Sequence, residues 1–191
     1  MEMFLLATGI VALAEIGDKT QLLAFMLAAR FRRPWPILWG ILVATLVNHL
    51  FAAAVGQSLT ALLTPDALRW ILGLSFLAMA CWMLIPDKLD TETAQSTVRF
   101  GVFGATAIVF FLAEMGDKTQ VATVALAARA SSLWPVVMGT TLGMMLVNTP
   151  AVFMGEQIAA RFSPTLMHRI AALIFAALGI WVLLETRLPS V

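Results

Sequence analysis

Apolar residues run along this chain in long stretches, separated at intervals by short polar clusters. Crossing a hydrocarbon layer of about 30 Å at 1.5 Å per residue takes about 20 residues, and windows of that size lie near 3–29, 35–57, 67–85, 100–128, 134–155 and 167–185. The pattern predicts six helices. Arg30, Arg32, Arg33, Pro34 and Pro36 close the first, Thr64-Pro65-Asp66 separates the second from the third, and Pro86 ends the third. The most polar stretch, Asp87 to Arg99, reads as a short linker, and Ser163-Pro164 precedes the last window. An early Ala12-Leu13-Ala14 resembles a signal-peptidase site, but Glu2 stands where a positive start is needed and the apolar run continues past residue 20.

The polar positions repeat. Sliding the chain by 99 residues lays Glu15-Ile16-Gly17-Asp18-Lys19-Thr20-Gln21 on Glu114-Met115-Gly116-Asp117-Lys118-Thr119-Gln120. Leu27-Ala28-Ala29-Arg30 then meets Leu126-Ala127-Ala128-Arg129, Trp35-Pro36 meets Trp134-Pro135, Gly40 meets Gly139 and Trp82 meets Trp181. Between Glu15 and Arg30, 10 of 16 positions are identical, which shared apolar composition does not explain. The chain thus reads as a duplicated three-span unit: residues 1–86, a linker at 87–99, and residues 100–191. Three is odd, so the second copy enters the membrane from the opposite side. The expected fold is an all-α integral membrane protein with six transmembrane helices as two inverted three-helix repeats.

Composition agrees. Of 191 residues, 61% are apolar and 12% charged, about half the charge of ordinary soluble domains, and mean hydropathy is +0.92. A net charge of +1 with no basic block argues against a nucleic-acid partner; the lipid bilayer is the partner the composition calls for. The single Cys81 excludes an internal disulfide and Cys-based metal sites. Near span ends, Arg30, Arg32, Arg33, Lys88, Arg99, Arg161 and Arg169 fall on one side against Arg69, Arg129 and Arg187 on the other. The positive-inside rule then sets both termini outside and the linker in the cytoplasm.

Glu15 and Glu114 fall near the middle of the first and fourth windows, where a charge is disfavoured by about 2.5–3.5 kcal/mol. On a continuous helix Glu and Asp three apart share a face, with Lys beside the Glu. Gly17 and Gly116 let the helix bend or open, and Pro150 adds a break in the fifth window, since it cannot donate to the carbonyl of Leu146. Asn48 and Asn148, each following a Val, read as matching amides, while His49 stands opposite Thr149 and has no counterpart. Small residues four apart, Gly40 and Ala44, Gly139 and Gly143, suit close packing against the charged spans.

Together Glu15, Asp18, Glu114 and Asp117 offer four carboxylates, Thr20, Thr119, Gln21, Gln120, Asn48 and Asn148 offer neutral oxygens, and no His or Cys recurs in both halves. Such a hard-oxygen set suits Mn²⁺, Ca²⁺ or Mg²⁺ rather than Zn²⁺ or Cu⁺. With Lys19 and Lys118 balancing charge the cluster carries −2, which one divalent ion or two protons neutralise, and that equivalence suggests exchange. The plainer alternative has each Glu and Lys pairing only to pin spans together. No nucleophile-base pair recurs near the motifs, so an enzyme is not indicated and no resident cofactor is called for. A carrier for a small organic solute such as an amino acid has similar size, but its pocket needs no four carboxylates; a divalent-cation channel is the other alternative.

Two copies of Glu-x-Gly-Asp-Lys-Thr in a six-span chain resemble the signature of the Golgi calcium/manganese transporter family, which includes bacterial manganese exporters of the MneA type and chloroplast homologues. The resemblance covers nearly the whole chain. It implies export of Mn²⁺, with Ca²⁺ as a second cargo, from the cytoplasm in exchange for protons, the two motifs forming the cation site. Glu15, Gly17, Asp18, Lys19 and Thr20, with Glu114, Gly116, Asp117, Lys118 and Thr119, match that signature in full. Organellar members carry targeting extensions and longer central loops, so their absence points to a bacterial inner membrane. A homo-oligomer stays open.

Overall fold

A computed structural model describes residues 1–85, 100–154 and 164–185. The linker expected at 87–99 lies outside the described residues. Every regular element among them is helical. The first repeat holds α1 (Glu2–Glu15), α2 (Lys19–Phe31), α3 (Pro34–Leu62) and α4 (Pro65–Trp82), and the second holds α5 (Gly101–Glu114), α6 (Lys118–Ala127), α7 (Leu133–Met154) and α8 (Pro164–Leu184). Prolines mark the starts as physics expects, since a first-turn residue needs no N–H partner. Pro34 opens α3, and Pro65 follows the cap Thr64, whose hydroxyl accepts from Ala67 N.

Three helices, α3, α7 and α8 (from Thr165), are each long and apolar enough to cross a membrane. The first and fourth windows do not form the continuous helices that the hydrophobic pattern suggested. Each is two short helices joined at the motif, and Gly17 (φ 81°) and Gly116 (φ 77°) turn the chain there. Glu15 and Asp18 therefore close one helix and begin the next, so they do not share a helical face. Pro150 behaves in the opposite way: α7 continues through it to Met154. One lost donor, with φ already helical, is tolerated where neighbouring helices hold both flanks.

Packing between the repeats is reciprocal. Gly139 of α7 lies against Phe4 O and Ala7 of α1, and Gly143 against Thr8 O and Ala12. Shifted by 99, the same contact recurs: Gly40 of α3 lies against Phe103 O and Thr106 of α5. Each broken helix thus packs along the long helix of the other repeat and parallel to it, while α4 and α8 cross antiparallel through Gly73, Leu77, Gly179 and Leu183. The expected close approach of Gly40 and of the Gly139/Gly143 pair is what the structure shows. The two sequence repeats are interlocked and do not form separate packing units.

Burial along α3 and α7 coincides at this same shift, through Ile37 and Val136, Gly40 and Gly139, Thr45 and Met144, Asn48 and Val147, His49 and Asn148, and Ala52 and Ala151. The Val-Asn identity that paired Asn48 with Asn148 is one residue out of register. His49 has a counterpart after all, and it is Asn148.

Candidate cation site

The two breaks are built alike. In each, the Asp N–H returns to the Glu carbonyl, Asp18 to Glu15 and Asp117 to Glu114, both at 3.1 Å. The next helix then starts from the Asp carbonyl, which accepts from Leu22 at 3.3 Å and Val121 at 3.1 Å. Gln21 and Gln120 accept the N–H of Gly17 (2.8 Å) and Gly116 (2.7 Å) through their side-chain oxygens. Thr20 and Thr119 donate to Oε2 of Glu15 (2.5 Å) and Glu114 (2.9 Å). These four side chains, read from the sequence as neutral ligands, are engaged in holding the break and aiming the glutamates. Gly must stand at the turn because a left-handed residue with a Cβ costs about 1–2 kcal/mol.

Glu15, Glu114 and Asp117 come together, with one carboxylate oxygen from each within 4.8 Å of the others. All three are buried, and Glu15 Oε1, Glu114 Oε1 and Asp117 Oδ2 have no hydrogen-bond partner. Asp18 is buried as well but stands outside this trio. The structure therefore gathers three of the four expected carboxylates. Unit charges about 4 Å apart repel by about 4 kcal/mol even at an effective dielectric constant of 20. Positive charge must sit among them.

Lys19 supplies part of it, and across the repeats: its Nζ lies 3.2 Å from Asp117 Oδ1. That replaces the pairing along its own helix that motif spacing suggested, because the break starts a new helix at Lys19 and its side chain reaches the other repeat. Lys118 takes a different partner, donating to Ile85 O at 3.1 Å just beyond α4, and is fully buried. Three carboxylates against one ammonium leave a formal −2, which one divalent cation balances.

The asparagines differ in kind. Asn48 donates to Phe111 O of α5 at 3.0 Å, tying the two repeats together. Asn148 donates within its own helix to Met144 O and Sδ, and its Oδ1 is buried without a partner. Gln21 Nε2 reaches toward Val147 O at 3.5 Å.

Sequence reasoning missed an ion pair at one end of the bundle. Arg129, just past α6, pairs with Glu185 Oε2 at 2.7 Å and lies over the Trp181 ring at 4.5 Å, while Arg69 of α4 donates to Glu185 O at 3.4 Å. The placement of Arg69 and Arg129 on one side is the signal in the sequence that points to this cluster.

A family model described as divalent cation/proton antiporter GDT1 matches residues 3–91 and again 102–190. A Vibrio cholerae protein named "Putative manganese exporter" is 50% identical over 171 residues, covering 89% of this chain and 84% of its own length. A GDT1-like protein of Synechocystis is 30% identical over 192 residues, with 87% and 89% covered. GDT1-like protein 5 of Arabidopsis thaliana is 27% identical, with 90% and 91% covered. No solved structure matches the chain.

Proposed function

Because the chain belongs to the divalent cation/proton antiporter family whose model matches both of its halves, we propose that it exports Mn²⁺, with Ca²⁺ as a weaker cargo, from the cytoplasm of a bacterium across the inner membrane while protons return. Glu15, Glu114 and Asp117 are the cation-binding carboxylates, and Lys19 holds the empty site together. Asp18, through its place at the start of α2, and Lys118 complete the charge in other stages of the cycle. The observation that carries this reading is the meeting of three buried carboxylates from the two motifs, each of which also has an oxygen without a hydrogen-bond partner. Such oxygens are costly to leave without a proton or a cation, and an all-oxygen set is what Mn²⁺ and Ca²⁺ take.

The six-span inverted arrangement belongs to the same proposal. Parallel packing of α1 on α7 and of α5 on α3 supports it, since those segments run in one direction only if the repeats insert oppositely. The gathering of Arg69 and Arg129 around Glu185 at one end fits the sparsely basic outer side, with both termini outside.

The test is ⁵⁴Mn²⁺ uptake into proteoliposomes. Glu15→Gln and Glu114→Gln keep shape and remove charge, and each is expected to abolish uptake while the protein still inserts. Unchanged uptake by either variant would sink the site.

A further inference from the structure

We propose that His49 contacts the cation in the loaded state and supplies one nitrogen ligand to an otherwise oxygen site, so that it sets the preference for transition-series cations over Ca²⁺. The inference rests on the transport reading above and deepens it.

Four observations carry it. His49 is 1% exposed on α3, and its Nε2 has no hydrogen-bond partner. Its register equivalent is Asn148 on α7, fully buried, whose Oδ1 is likewise without a partner. Both lie level with the helix breaks: the preceding Asn48 bonds to Phe111 O, three residues before Glu114, and Val147 O faces Gln21. Finally, Thr141 Oγ1 of α7 stands 3.5 Å from His49 Nδ1. When Nδ1 carries the hydrogen toward that hydroxyl, the lone pair rests on Nε2, which is how a ligating imidazole is usually oriented.

The repeats thus differ chemically at one equivalent pair of positions, an imidazole in one and an amide in the other. An amide oxygen is as good for Ca²⁺ as for Mn²⁺. An imidazole is not, because Ca²⁺ takes oxygen ligands while affinity for nitrogen rises from Mn²⁺ to Co²⁺. In the present conformation the three carboxylate oxygens form their own group and His49 stands outside it. Loading brings Nε2 into contact with the ion.

The chain has only two histidines, so the nitrogen can be seen directly. Pulsed electron paramagnetic resonance of the purified, Mn²⁺-loaded protein should show ¹⁴N modulation of imidazole type. His168→Gln should keep that signal, and His49→Asn, which copies the Asn148 position, should lose it. In transport competition, His49→Asn should weaken Co²⁺ by about tenfold, the lower end of what perturbing a ligand shell costs. Mn²⁺ should weaken less, and Ca²⁺ should stay unchanged. A purely structural histidine would depress all three cations equally. If His49→Asn does not insert, His49→Gln is read by the same spectrum. Bound Mn²⁺ without nitrogen modulation in the wild type, or a uniform loss across the three cations, overturns the role of His49 and leaves the transporter intact. Wild-type protein that takes up no Mn²⁺, and does not differ from Glu15→Gln, sinks the transport reading instead.

Discussion

At the scale of single residues, the site depends on backbone geometry as much as on charge. Nothing lies within 4 Å of where a Cβ on Gly116 would be, so space does not require the glycine; its φ of 77° does. Gly116→Ala is therefore expected to insert, to lose about 1–2 kcal/mol of stability through left-handed strain, and to lower cation affinity by shifting Glu114 and Asp117 together. Thermal unfolding alongside Mn²⁺ binding checks both, and an alanine variant with unchanged affinity would show that the turn does not aim the carboxylates. The doubled motif was legible in the sequence because identity at a fixed shift needs no structure to be seen. The partners were not. Lys19 lies next to Asp18 in the chain and pairs with Asp117 in space, because a break sends the following helix in a new direction that spacing rules for a continuous helix cannot anticipate. Asn48 and Asn148 misled for a related reason: the Val-Asn identity outweighed a register that only burial along α3 and α7 reveals.

At the scale of elements, glycines set how closely the broken helices approach the long ones. A Cβ on Gly139 would stand 2.5 Å from Phe4 O and 3.0 Å from the Ala7 Cβ, whereas one on Gly9 of α1 would meet nothing within 4 Å. Gly139→Ala should thus cost about 1–3 kcal/mol by overpacking and push α1 off α7, while Gly9→Ala, on a helix that gains propensity, should be neutral or slightly stabilising. Unfolding of the two variants in detergent is the measurement, and equal stability would mean that α1 and α7 are not in register as described. The end cluster makes a second element-scale prediction. Glu185 ties the bundle end together, its carboxylate pairing with Arg129 just past α6 and its backbone carbonyl accepting from Arg69 of α4, and a hydrogen bond to a charged group contributes about 1.5–3 kcal/mol. Glu185→Gln should lower the melting temperature and leave Mn²⁺ binding at the distant carboxylates unchanged. A loss of binding without a loss of stability would contradict that division. The helical stretches and their order were readable from hydrophobic windows, but their number was not: six windows hold eight described helices, since Gly17 and Gly116 break runs whose hydropathy continues on both sides.

For the whole molecule, reciprocity makes a prediction about topology and another about energy coupling. If the repeats insert oppositely, single cysteines at 31 and 131 react with impermeant reagents from opposite sides of the membrane; reaction from one side only would end the inverted arrangement. Coupling follows from the site's charge. With every carboxylate ionised the trio and Lys19 sum to −2, so a divalent cation and two protons are alternative ways of neutralising the same buried groups. Occupants that compete for one set of ligands exclude each other, and apparent Mn²⁺ affinity must fall as pH drops and rise as pH increases. A ligand shifts a two-state carrier only by its differential affinity for the two states. On the proposed reading, protons entering from outside clear the site, and Mn²⁺ loading from the cytoplasm expels them there. In proteoliposomes with a pH-sensitive dye inside, Mn²⁺ movement should be accompanied by opposite proton movement, and an imposed proton gradient should drive Mn²⁺ against its own gradient. Glu114→Gln should abolish the dye response together with the flux, because it removes one of the competing oxygens. Mn²⁺ flux with internal pH unchanged and affinity indifferent to pH would mean that the carboxylates bind the cation without exchanging it, as in a channel.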